Sequence, residues 1–121
     1  MSDVALVLGT ITVDSADAPA LADWWALVLN GSVEGFPEIG IQVVRTDRLR
    51  GLNLAVQHSE NPTPGKNRIH LDFGAANRAE AVDRLIGLGA RRISDNDFQG
   101  LGWTVLADPD GNHFCVSDPQ P

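Results

Sequence analysis

Several things are scarce in this sequence, and each scarcity excludes something. Among 121 residues there is a single cysteine, Cys115. It cannot close an internal disulfide, and a four-cysteine zinc site is excluded with it. Basic residues are few: nine Lys and Arg stand against sixteen Asp and Glu, a formal charge of -7. An acidic domain without a basic cluster repels phosphate backbones, which argues against a nucleic-acid partner. It also lacks the polybasic stretch that an anionic membrane surface attracts. No apolar run approaches the ~18 residues that span a bilayer. The stretch Met1–Leu8 carries an acid at Asp3 and no basic leader. No glycine-rich phosphate loop is present, because Gly87-Leu88-Gly89 closes a helix instead of opening one. The expectation is a cytoplasmic protein without nucleic-acid or membrane partners. Its length suits one domain burying roughly two-thirds of its unfolded surface, and its 43% hydrophobic and 21% charged residues are ordinary for a globular chain.

What is present is a pattern. Val4 to Val13 is aliphatic and β-branched and reads as a buried strand. Asp14 to Asp17 supplies turn and cap chemistry, with Asp17 as N-cap and Pro19 early in the helix. Leu21, Trp24, Trp25, Val28 and Leu29 fall on one helical face. Asn30-Gly31 ends that helix, with Gly31 expected to be left-handed. Short strands follow near 32–35, 39–45 and 52–57, and Phe36 lies in the first intervening loop. Ser59 to Asn67, with Asn61-Pro62-Thr63-Pro64-Gly65, is a linker that neither a helix nor a central strand could hold. The pattern then repeats. Arg68–Gly74 reads as a strand, and Asn77 with Glu80 as a capping box. Val82, Leu85, Ile86 and Leu88 form a helical face stopped at Gly89, and strands follow near 91–94, 102–107 and 114–117. Phe98 falls in the loop before the second of these. Asp108-Pro109-Asp110-Gly111-Asn112 is the last turn. Both halves read strand–helix–strand–strand–strand, offset by ~58 to 60 positions, as matched helix stops at Gly31 and Gly89 indicate.

The run Lys66 to Phe73, the helix end Leu88-Gly89-Ala90 and the run Trp103 to Val116 resemble the second half of a glyoxalase-like protein. Asp14 to Asp17, Trp24-Trp25 and Leu29-Asn30-Gly31 resemble its first half. The superfamily is that of the glyoxalases, bleomycin-resistance proteins and dioxygenases, also called vicinal oxygen chelate proteins. The resemblance covers essentially the whole chain. It implies an α+β fold: two βαβββ modules, 4–57 and 68–117 around a linker at 58–67, forming a half-open barrel around a central cavity within a single domain. It further implies a ligand in that cavity, a divalent metal in many members, and a homodimer. Covered sheet edges point toward the homodimer as well.

A catalytic metal needs His or carboxylate donors converging from several strands. At the position the resemblance gives to the first ligand stand Thr10 and Thr12, which share a strand face. Gln57 takes the place of a usual Glu, His70 matches the third ligand, and Cys115 replaces the last Glu. The reading is therefore no metal and no cofactor. Should a metal bind, Gln57, His70 and Cys115 would be among its ligands. A Cys115–His70 nucleophilic pair is disfavoured, because no helix N-terminus follows Cys115 to lower its pKa. His58 sits at the linker edge, and His113 shares a face with Cys115.

Ligand binding is better supported. Trp103, Phe98 and Phe36 offer aromatic platforms, while Thr10, Thr12, Asn53, Gln57 and His70 offer neutral polar groups. Arg68 alternates with His70 and Asp72; it either pairs with Asp72 or meets a ligand carboxylate. The expected function is metal-independent binding of a small molecule. An aromatic or cationic natural product, sequestered as in drug resistance, is the expected ligand class, and the acidic charge favours a cation. The alternative is a glyoxalase-like lyase, isomerase or dioxygenase, either metal-dependent or using His70 as general acid or base.

Overall fold

The computed structural model describes residues 8–64 and 70–119. The chain falls into two compact units, Met1–Thr63 and Pro64–Pro121. The first contains β1 (Thr10–Ser15), α1 (Ala18–Val28), β2 (Ser32–Phe36), β3 (Ile41–Arg45) and β4 (Asn53–His58). The second contains β5 (Leu71–Gly74), α2 (Arg78–Gly87), β6 (Arg91–Phe98), β7 (Leu101–Ala107) and β8 (His113–Ser117). Each unit is a βαβββ module, and the two share one topology. Sheet order is β1-β4-β3-β2 in the first and β5-β8-β7-β6 in the second. In each, the first strand runs parallel to the last, and the other neighbours are antiparallel. The protein is thus α+β, and the repeat read from the sequence is a repeat of structure.

Each helix covers one face of its own sheet. In the first module α1 packs chiefly on β3, β2 and β4. Leu21, Trp24, Trp25 and Leu29 of this segment are buried, as are Val44, Leu54 and Val56 of the sheet. Those sheet residues alternate with the positions that face away, as strand geometry requires. Small residues Ala18, Ala22 and Ala26 are also buried on the helix, which lets its backbone approach the strands closely. Trp24 and Trp25 meet edge to face, with ring centroids 5.0 Å apart. In the second module Val82 and Leu85 of α2 are buried, with Leu106, Phe114 and Val116 of the sheet. Phe73 and Phe114 form an edge-to-face pair at 6.0 Å.

The caps explain where the helices begin and end. Asp17 Oδ1 accepts from Ala20 N at 3.3 Å, and Asn77 Oδ1 accepts from Glu80 N at 3.1 Å. At the other ends Gly31 N donates to Ala26 O and Ala90 N to Leu85 O, which satisfies carbonyls the helices leave free. The second helix stops at Gly89, as expected, and its positive-φ residue is Gly89 itself, at φ 113. In the first it is Asn30, at φ 54, and not Gly31. Gly31 is required for space instead: a Cβ there would collide with the Arg45 carbonyl oxygen. Asn tolerates the left-handed region, which is why the task passes one residue upstream.

Other expectations shift at their edges. The first strand runs Thr10–Ser15, so Asp14 and Ser15 extend it instead of turning, and positions 4–7 lie outside the described residues. Ser15 is fully buried, its Oγ accepting from Asp17 N and its carbonyl from Ser59 N. Phe36 and Phe98 end β2 and β6 and do not lie in loops. β6 is longer than read, reaching residue 98 across an irregularity between Arg92 and Ser94. Ile86 is exposed, since the buried stripe of the short α2 is narrower than its apolar residues suggest. His58 closes β4 and does not belong to the linker.

Two polar knots hold the second module's ends. Asp108, which is buried, accepts through Oδ1 from Asp110 N at 3.0 Å and Asn112 N at 2.9 Å. The Asn112 amide also donates to both of its oxygens. The Asp-Pro-Asp-Gly-Asn run is thus a self-satisfied turn, with Gly111 at φ 91. At the opposite end Arg78 pairs with Asp118 at 3.1 Å, and Asp118 Oδ2 accepts from Gly102 N at 2.9 Å. A Cβ on Gly102 would lie 2.6 Å from Arg78 Nη2, so this ion pair rests where a side chain would otherwise be. Next to it, the Thr104 hydroxyl, with the Arg92 guanidinium, holds the Asp95 carboxyl below its ordinary range.

Candidate binding faces

The residues with chemistry gather on the sheet faces away from the helices. In the first module the pairing register sets them in rows across the strands. Ser32 pairs with Arg45, Arg45 reaches Asn53, and Asn53 pairs with Thr10. One step along lie Glu34, Val43, Ala55 and Thr12. The next row holds Phe36, Ile41, Gln57 and Asp14. Five expected site residues, Thr10, Thr12, Phe36, Asn53 and Gln57, therefore share one face of one sheet. Its middle row is apolar at Val43 and Ala55, the row from Ser32 to Thr10 is polar, and the third row sets Phe36 and Ile41 beside Gln57 and Asp14.

One feature of that face escaped the sequence reading. Arg45 Nη2 donates to Glu34 Oε1 at 2.6 Å, and Nη1 donates to Asn53 Oδ1 at 3.0 Å. The guanidinium is held between two strands. The signal was present in the alternation, because Arg45 falls in phase with Ile41 and Val43 and opposite in phase to buried Val44.

In the second module the helix-free face carries Trp103, half-buried, paired with Asn96 on β6 and with Ser117 on β8. The adjoining row holds Ser94, Val105, Cys115 and Asp72. Asn96 Nδ2 donates to Ser94 Oγ at 3.0 Å. His70 stands immediately before β5 in phase with Asp72, and His113 is in phase with Cys115. Phe98, at the far end of the same face, is 66% exposed. Trp103, Cys115 and Phe98 therefore share a face, with His70 at its margin. Arg68 lies outside the described residues.

The metal that the resemblance implies finds a poor donor set. Thr10, Thr12 and Gln57 offer only neutral oxygens, and Cys115 is buried. Among the described residues no three of His, Cys, Asp and Glu come together to hold a metal ion. These residues do not fit the metal centre. Among the described residues no helix is long and apolar enough to cross a membrane.

The fold is shared with known structures. A glyoxalase/bleomycin resistance protein/dioxygenase family enzyme from Burkholderia phytofirmans is 19% identical, with a TM-score of 0.69 over 91% of this chain and 96% of that one. A superfamily member from Sphaerobacter thermophilus is 17% identical, with a TM-score of 0.74 over 95% of this chain and 98% of that one. A protein described as oxidase ChaP-H1 is 19% identical, with a TM-score of 0.70 over 96% and 98%. At such identities the likeness is one of fold. No curated protein matches. The glyoxalase-like domain family matches residues 10–117, nearly the whole chain. With paired βαβββ modules and that match, the chain belongs to the glyoxalase-like domain family.

Proposed function

We propose that this protein binds a small, flat organic molecule without the help of a metal ion, and sequesters it. The observation that carries the reading is the half-buried Trp103 on the helix-free face of the second module, bordered by the polar side chains of Asn96 and Ser117. An aromatic platform with a few fixed polar groups is the usual composition of a small-molecule site. His70 and Asp72, in phase at the other side of the face, add a directional hydrogen bond and a carboxylate. The carboxylate and the overall charge of -7 favour an aromatic ligand carrying a cationic group. The first module contributes Thr10, Thr12, Asn53 and Gln57 on a face of the same kind. We further propose a single functional domain built from both modules. It works in the cytoplasm as a homodimer, in which β1, β2, β5 or β6, the edges of the two sheets, gain cover.

The test is a fluorescence titration with a panel of aromatic amines and aromatic natural products, followed by calorimetry on the best binder. Trp103→Ala should weaken binding by roughly 1–3 kcal/mol, the range for truncating a stacked aromatic anchor. His70→Ala should weaken it while leaving the fold intact. Unchanged affinity in both variants refutes the site. Turnover of the bound compound, abolished by His70→Ala, would replace sequestration by acid–base catalysis.

A further inference from the structure

The Arg45 clamp in the first module has chemistry that the proposed function does not use. A guanidinium presents five N–H donors in a fixed plane. Here one on Nη2 is taken by Glu34 at 2.6 Å and one on Nη1 by Asn53 at 3.0 Å. Both partners stand on neighbouring strands, so the plane of the fork is set from either side. Three donors are left, and among the described residues none of them has a hydrogen-bond partner. Glu34 Oε2 is likewise left as an acceptor beside them. As a stabilising ion pair this arrangement is weak. The Arg45 and Glu34 side chains are about half exposed, at 48% and 55%, where such pairs contribute little. As a recognition element it is well prepared, because the ordering of a long side chain has already taken place.

We propose that Arg45 and Glu34 together recognise a neutral polar head group in which an acceptor oxygen lies next to an N–H donor, that is, a carboxamide or ureido group. The oxygen would accept from the free Arg45 donors, and the N–H would donate to Glu34 Oε2. Charge selects the class. A free carboxylate would meet the Glu34 carboxylate beside the guanidinium, and an ammonium would meet the guanidinium beside the carboxylate. A neutral amide answers both groups. Val43 and Ala55, in the same row as Glu34 and next to that of Arg45, give an apolar floor, so a ring attached to the amide has a surface to lie on. The inference rests on the reading that these faces bind small molecules, and it adds the head group that the first module selects.

The probes are benzamide, benzoate and benzylamine, which share a ring and differ in head group. They are titrated into the isotope-labelled 121-residue chain and followed by the Arg45 Nε–H, Asn53 side-chain amide and Trp103 indole resonances. Benzamide should produce saturable shifts at Arg45 and Asn53, with benzoate and benzylamine at least tenfold weaker. Arg45→Lys keeps the charge but loses the fork, and should weaken benzamide about tenfold. Glu34→Gln should narrow the gap between benzamide and benzoate. Both variants must give native-like spectra elsewhere, and the second stands if the first fails to fold. The inference is overturned by benzoate binding as tightly as benzamide, by an unchanged affinity in Arg45→Lys, or by no saturable shift up to the solubility of benzamide. A Trp103 indole that responds to aromatic ligands while Arg45 stays silent overturns this inference and leaves the proposed function standing.

Discussion

Replacing Asp108 by Ala is expected to unfold the second module's last turn, and the structure sets the size of the effect. Asp108 is 4% exposed, and its carboxylate accepts from the Asp110 and Asn112 backbone amides through Oδ1 and from Asn112 Nδ2 through both oxygens. Hydrogen bonds to a charged group contribute about 1.5–3 kcal/mol each, and they are not additive within one turn. Removing the acceptor also strands the Asp110 and Asn112 amides. A loss near 3 kcal/mol follows, which for a chain of this size lowers Tm by roughly 10–15 °C. Asp108→Asn keeps one acceptor oxygen but sets its own NH2 against the Asn112 NH2, so about half of that loss is expected. Chemical unfolding followed by circular dichroism measures both variants. A loss below about 1 kcal/mol in Asp108→Ala would refute the reasoning, because it would mean that the turn does not depend on its carboxylate. A stable Asp108→Ala that no longer binds ligand would show that the motif serves the site and not the fold.

Gly31→Ala should cost about 2 kcal/mol, as the new methyl meets the Arg45 carbonyl oxygen and the Thr46 Cβ at 2.9 Å; an unperturbed unfolding midpoint would count against it. Trp25→Ala should cost about 3–5 kcal/mol, since the side chain is almost fully buried beneath α1, and denaturant unfolding measures it. The Asp95 carboxyl is held low by Thr104 first and Arg92 second, so its contribution is present above the ordinary carboxylate value of 3.8 and fades as pH falls through its lowered value. Thr104→Val should raise that value and flatten the acid limb, and a carboxylate titration by NMR that is identical in both proteins would refute the assignment.

Most of the fold was legible in the sequence because its determinants are local. The N-caps at Asp17 and Asn77, the Gly89 stop and the Asp-Pro-Asp-Gly-Asn turn each satisfy their own hydrogen bonds within a few residues. What was less legible depends on partners far along the chain. Gly31 looked like a left-handed cap, yet its reason lies at Arg45, fourteen positions on, which only the folded sheet supplies. Gly102 looked like an ordinary strand residue until Arg78 and Asp118 closed over it. Phe36 and Phe98 looked like loop residues because Pro37 and Gln99-Gly100 follow them, but antiparallel pairing carries each strand through the aromatic. The candidate residues were legible as sharing sheet faces by period-2 alternation. Alternation put Arg45 on that face too, but not its partners, since only the strand register brings Glu34 and Asn53 to its two sides.

Whether the Trp103 face binds an aromatic small molecule without metal is decided by calorimetric titration of the best aromatic binder into chelator-treated protein, with the native chain and Trp103→Ala side by side. Chelation should leave the native affinity unchanged, and Trp103→Ala should weaken it about tenfold or more. Binding that disappears on chelation and returns with a divalent metal, or that is indifferent to Trp103→Ala, would contradict that reading.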